Sequence, residues 1–140
     1  MYDILKAYDT YIRQKYKAEP GYITMNMPIL LDVLNSLGIK NPIICSSINK
    51  IGFRMSGGKE LYEKYLTEKE FRPIAMQVLA AGALRPKEAI EYLGQFSKIE
   101  SVLFGASSKE HIQETEELIK VNLKQDKLDG QKNMNLEYAQ

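Results

Sequence analysis

The sequence predicts an α/β fold in which one helix is followed by four strand–helix units. The order is α(βα)4, with a parallel sheet and helices on its outer face. Three observations predict it. Extended apolar segments begin near residues 22, 43, 73 and 101, and each gap of 21–30 residues holds one helical pattern. That spacing is the mark of parallel strands joined by helical crossovers, which run right-handed. Polar residues recur near the strand ends, as Thr24 and Asn26, Ser47 and Asn49, Gln77, and Ser107. The central strands of a doubly wound sheet, buried on both faces, read instead as nearly continuous apolar runs. The pattern therefore favours an arc of a (β/α)8 barrel, with a small doubly wound sheet as the alternative. The third observation is length: 140 residues make one domain, well short of the roughly 250 a closed barrel needs.

Each element has a local reason. Residues 3–17 place Ile4, Tyr8, Ile12 and Tyr16 four apart, one face of an amphipathic helix. Glu19-Pro20-Gly21 breaks it. Tyr22 to Asn26 reads as a strand. Pro28 suits the first turn of the next helix, which carries Ile29, Leu30, Val33, Leu34 and Leu37 at helical spacing. Gly38 stands where a left-handed C-cap belongs. Pro42 to Ile48 is a strand, and Lys59 to Lys69 a charged helix. Pro73 to Leu79 is a strand, and Arg85 to Phe96 a helix with Pro86 near its start. Ser101 to Phe104 is the last strand, and Lys109 to Lys124 the last helix. Ser107 or Ser108 can N-cap that helix, and Glu110 and Glu114 suit its positive end. Residues 1–123 thus form the domain, and 124–140 read as a polar C-terminal tail, a frayed helix end or a disordered segment.

Composition excludes several classes. The chain is 44% apolar and 26% charged with a net charge of +1, so it has no electrostatic footprint for nucleic acid or an anionic membrane surface. No apolar run reaches the ~18 residues of a membrane span, and the start lacks a signal-peptide pattern. With one cysteine, Cys45, and one histidine, His111, neither an internal disulfide nor a Cys/His metal cluster is expected. A reducing, cytoplasmic compartment is the expectation.

Arg72 to Arg85 reads RPIAMQVLAAGALR, and Ile99 to Ile112 reads IESVLFGASSKEHI. Together they resemble the end of the aldo/keto reductase-like TIM barrels, where the seventh strand runs into a Leu-Ala-x-Gly turn. The eighth strand there leads through a Gly-Ala/x-Ser segment into a helix of Glu-His-Ile/Leu-x-Glu-Thr character. Glu110 to Thr115 match it, and ITMNMPILLDVLNSLGIKNPIICSSINKIGFRM is similar to strands five and six. The resemblance covers roughly residues 20–120, and it is to an uncharacterised branch of that family. It implies a C-terminal half-barrel that keeps the phosphate-binding side. The family's catalytic Asp, Tyr, Lys and His stand on strands one to four, which have no counterpart here.

Gly105-Ala106-Ser107-Ser108 is the leading candidate site, because free amides and hydroxyls at a helix start attract phosphate. Gly82, in the neighbouring Ala81-Gly82-Ala83 loop, joins it, with Arg85 as counter-charge. Phosphate in (β/α)8 barrels often sits at the loops after strands seven and eight. NADP or another phosphorylated small molecule is the ligand this implies. Lys50, after the second strand, is a candidate Schiff-base lysine if desolvated, although a solvated loop lysine is the ordinary reading. Asn26, Asn49 and Gln77 are candidates for a polar substrate pocket, against capping and rim filling. His111 reads as a capping or solvent-facing residue, Cys45 as a small core residue. A sheet covered on one side leaves an apolar face and two open edges. A homodimer, or pairing with an N-terminal half-barrel, is therefore expected, and no metal is.

Overall fold

The computed structural model describes residues 2–123; Met1 and the expected tail at 124–140 lie outside the described residues. Its elements are α1 (Tyr2–Tyr16), β1 (Gly21–Thr24), α2 (Met27–Ser36), β2 (Ile43–Ser47), α3 (Lys59–Glu68), β3 (Arg72–Met76), α4 (Pro86–Leu93), β4 (Ser101–Val102) and α5 (Lys109–Leu123). The α(βα)4 order is the one expected. The four strands form one parallel sheet in the order β1-β2-β3-β4. Every crossover steps in the same direction, so the order never reverses and the topological switch point of a doubly wound sheet is absent.

Right-handed crossovers that all step one way deposit their helices on the same face. Burial shows this directly. Tyr22, Ile44 and Pro73 pair side by side, as do Thr24, Ser46 and Ala75. Tyr22, Ile44, Pro73, Ser46 and Ala75 are buried under the helices, with Leu31, Leu34, Tyr62, Leu66, Ile90 and Leu93 packed over that face. The opposite parity is open: Ile23 is 71% exposed and Leu103 57%. Ile44 and Ala75 are therefore on the covered side, and Cys45, Ile74 and Met76 are on the other. The polar-parity reading also needs correction. Thr24 lies level with Ser46 on the covered face, whereas Ser47 lies level with Met76 on the open one. The strand-end polar residues do not share one face, and it is the sequential strand order that carries the architecture.

Caps set the helix ends. The Asn26 side chain accepts from the Ile29 N–H, and Pro28 sits in the first turn of α2. Gly38 ends that helix at φ +76°, with Gly38 N–H donating to Asn35 and Ile39 N–H to Leu34, the bonds of a Schellman closure. The strand expected over residues 73–79 stops at Met76, because Gln77 turns left-handed at φ +53° and the chain enters a short 3-10 turn, Ala80–Gly82. At Gly94 a Cβ would lie 3.1 Å from the Asn122 carbonyl oxygen, so the missing side chain lets α4 and α5 approach closely.

The amino ends of the strands carry a structural ion cluster. The Arg72 guanidinium contacts both Glu19 and Glu100, tying the loop before β1 to β3 and β4. Farther out, three tyrosine hydroxyls donate to carboxylates: Tyr22 to Asp9, Tyr65 to Asp32 and Tyr92 to Glu63. Burial first, then the carboxylate, pushes Tyr22 and Tyr92 above the ordinary phenol range, and the Asp32 bond raises Tyr65. The folded state thus holds these protons where the unfolded chain releases them, at about pH 10. Stability conferred by these phenols is fully present below that pH and lost as pH rises above it. Exposed Tyr11, lowered chiefly by Lys15, opposes this in part. The urea midpoint is expected to hold steady between about pH 7 and 9 and to fall from about pH 10. A midpoint unchanged to about pH 11 would count against these three bonds.

Candidate functional site

The carboxyl ends of β2, β3 and β4 surround a cleft of about 640 Å³. Phe53 and Arg54 come from the loop after β2, Gln77 to Leu79 with Ala81 and Gly82 from the loop after β3, and Leu103 to Gly105 from the loop after β4. This is where ligands sit in open parallel α/β sheets, and the volume lies within the ordinary range for small-molecule sites, about 300–1,000 Å³.

The loops are shaped locally. Asn49, 1% exposed, clasps the loop after β2. Its carboxamide accepts from the Phe53 N–H at 2.8 Å and donates to the Phe53 carbonyl at 2.9 Å and the Gln77 carbonyl at 3.3 Å. The clasp presents Phe53 and Arg54 to the cleft, with the Arg54 guanidinium 5.2 Å from the Phe53 ring centre. Arg54 itself is left-handed (φ +53°) and exposed, and it forms no salt bridge among the described residues. Across the cleft, Gln77, Ala80 and Ala81 have φ between +47° and +55°, and Gly82 has φ +90°. Ser47 donates to the Gln77 side-chain oxygen, linking the rims of β2 and β3.

The structure brings Gly82, Gly105 and Gln77 of the expected site residues to one cleft. It separates the others. Gly82 supplies shape rather than a donor, since its N–H is bonded to the Leu79 carbonyl. Ala106, Ser107 and Ser108 lie beyond the lining. Ser108 is the N-cap of α5, accepting from the His111 N–H at 3.2 Å, and Ser107 Oγ lies 3.4 Å from His111 Nδ1. Glu110 stands at that helix start too. Its own backbone N–H, then the Ser108 hydroxyl, hold its carboxyl below the usual range. The chain's own carboxylate therefore competes for the position assigned to phosphate.

Asn26 is a helix cap and Asn49 a loop clasp, so neither carboxamide is spare for a substrate. Lys50 Nζ lies 2.7 Å from Glu88 Oε1 with both side chains about half exposed, which is not the desolvated setting a Schiff-base lysine needs. Arg85 is the exposed N-cap of α4 and does not line the cleft. Arg54 is the cation at the cleft. Nothing in the sequence distinguishes it from other loop cations; only the Asn49 clasp places it. Cys45 is half-buried on the open face, and burial raises its thiol.

Among the described residues no cluster of three metal-binding side chains occurs, and no helix is long and apolar enough to cross a membrane. Compared with protein-family models, curated proteins and solved structures, the chain matches none.

Proposed function

We propose that this chain is a half-barrel that binds the phosphate-bearing end of a small molecule or nucleotide in its rim cleft and is not catalytically complete alone. The observation that carries this is the meeting of Arg54, Gly82 and Gly105 in one cleft at the carboxyl ends of β2, β3 and β4. A guanidinium held without a carboxylate partner offers a fork of donors matched to phosphate oxygens. Gly82 and Gly105 leave room for a ligand to approach the backbone. Phe53, Leu79, Leu103 and Phe104 form apolar walls suited to a flat ring. These features fit NADP, the cofactor implied by the resemblance to the C-terminal half of the aldo/keto reductase-like barrels. They fit a smaller phosphorylated metabolite as well, which is the second reading.

The sequential strand order supports the half-barrel over a doubly wound module. Among the described residues no general acid–base pair or activated nucleophile lines the cleft, which supports a binding rather than a complete catalytic role.

Calorimetric titration with NADPH, a sugar phosphate and inorganic phosphate tests the reading. Saturable binding at or below millimolar ligand is expected. Arg54→Ala is expected to weaken it about tenfold, roughly the worth of one charge-assisted contact. NADPH binding alone selects the nucleotide reading, and sugar-phosphate binding alone selects the metabolite. No heat with any of the three at millimolar concentration, or full affinity in Arg54→Ala, refutes the site.

A further inference from the structure

The open face of the sheet requires an occupant, and we infer that it is a second copy of this chain, the two sheets closing into an eight-stranded parallel barrel. The inference rests on the half-barrel reading and names its partner.

Three surfaces left bare by one chain are complementary to one another. The first is the sheet face away from the core helices, where Ile23, Met25, Cys45, Ile74, Met76 and Leu103 stand with Ser47 and Ser101 among them. Eight strands are the number at which a barrel interior is just filled by side chains, and twice four reaches it. The second is the pair of sheet edges. A two-fold axis along the barrel keeps all strands parallel and sets β1 of each copy against β4 of the other, so both edges are paired at once.

The third surface is the pair of flanking helices. α1 stands beside β1, with the Tyr8 ring packed edge-on against Tyr22, and no residue of α1 is fully buried. Ile4 on α1 is 73% exposed. At the far flank, Ile112 and Val121 of α5 are exposed as well. The same operation brings α1 of one copy alongside α5 of the other. Their charges agree with that pairing. α1 carries Lys6, Arg13 and Lys15 against Asp3 and Asp9, whereas α5 carries four glutamates against Lys109 and Lys120. The net positive α1 and the net negative α5 attract side by side, while α1 against α1 or α5 against α5 sets like charge on like.

Native mass spectrometry of the full chain at micromolar concentration is the first test, with a species of twice the 16.0 kDa chain mass expected. Ile23→Glu places a charge in the shared interior and is expected to give a monomer with unchanged helical circular dichroism. Because that variant can also fail to fold, a surface test accompanies it in a Cys45→Ala background. Ile4→Cys chains mixed with Ile112→Cys chains are expected to form the mixed disulfide in preference to either homodisulfide. A monomeric wild type, an open-ended series of oligomers, an Ile23→Glu dimer, or Ile4–Ile4 crosslinks in excess would each overturn the inference. Ligand binding by a monomer would overturn it and leave the rim site standing; a dimer without ligand binding would do the reverse.

Discussion

Tyr62→Ala is expected to cost about 4 kcal/mol, the largest stability loss of any single change considered for this chain. Tyr62 is fully buried between α3 and the sheet. Its hydroxyl accepts from the Met27 N–H at 3.0 Å, donates to the Met25 carbonyl at 3.1 Å and lies 3.4 Å from Ser46 Oγ. It thus holds the turn from β1 into α2 from the side, where the Met25 carbonyl also accepts from the Ser56 N–H at 3.1 Å. Truncation to alanine leaves a cavity and also strands the Met27 N–H. Tyr62→Phe keeps the volume and removes only the hydroxyl, so about 1–3 kcal/mol is expected from the unsatisfied polar groups. Against a total stability of about 5–15 kcal/mol, the alanine variant approaches the threshold of folding. Urea denaturation monitored by circular dichroism measures both. Equal losses in the two variants would mean that the cavity contributes nothing and the packing assignment is wrong.

The second expectation concerns Asn49. Asn49→Ala leaves the Phe53 N–H and carbonyl without the carboxamide, while the Gln77 carbonyl keeps the Ala80 N–H, so a loss of about 1–3 kcal/mol is expected. Asn49→Asp is the sharper test. It retains the acceptor for Phe53 N–H but turns the other oxygen, as a carboxylate, toward two carbonyl oxygens. Burial and those carbonyls both favour the protonated acid, so the new carboxyl titrates above its unfolded value of about 4. The variant is therefore expected to be near wild type below about pH 4 and to lose stability as pH rises above it. Rim binding should fall with it, because the clasp places Arg54. A pH-independent loss would show that the donor side of the carboxamide is not what the loop needs.

These two residues mark the boundary of what was legible. Gly38, Pro28, Pro86 and Ser108 were readable because a cap or first turn is decided within a few residues of chain. The first two helices were readable from the spacing of Ile4, Tyr8, Ile12 and Tyr16 and of Ile29, Leu30, Val33, Leu34 and Leu37. The end of β3 was not, since RPIAMQVL reads as one extended run, and the turn at Gln77 is imposed by contacts of its loop with Ser47 and Asn49. Asn26 and Asn49 looked alike, as polar residues at strand ends. One is a cap and the other a clasp because the partners of Asn49 include a carbonyl 28 residues away. Arg54 was invisible as a site residue for the same reason.

By itself, the sequence determined the α(βα)4 order, the caps and the approximate extent of each element. All of these follow from interactions within a turn or two, or from periodicity along one segment. Only the tertiary structure decided that the strands pair in sequential order, that Ile44 and Ala75 go under the helices while Ile23 and Leu103 stay bare, and that Arg54, rather than Ser107 or Ser108, meets Gly82 and Gly105 at one cleft. Those outcomes depend on register and on loops converging from three separate strands, and a shift of one residue in register exchanges the two faces of a strand.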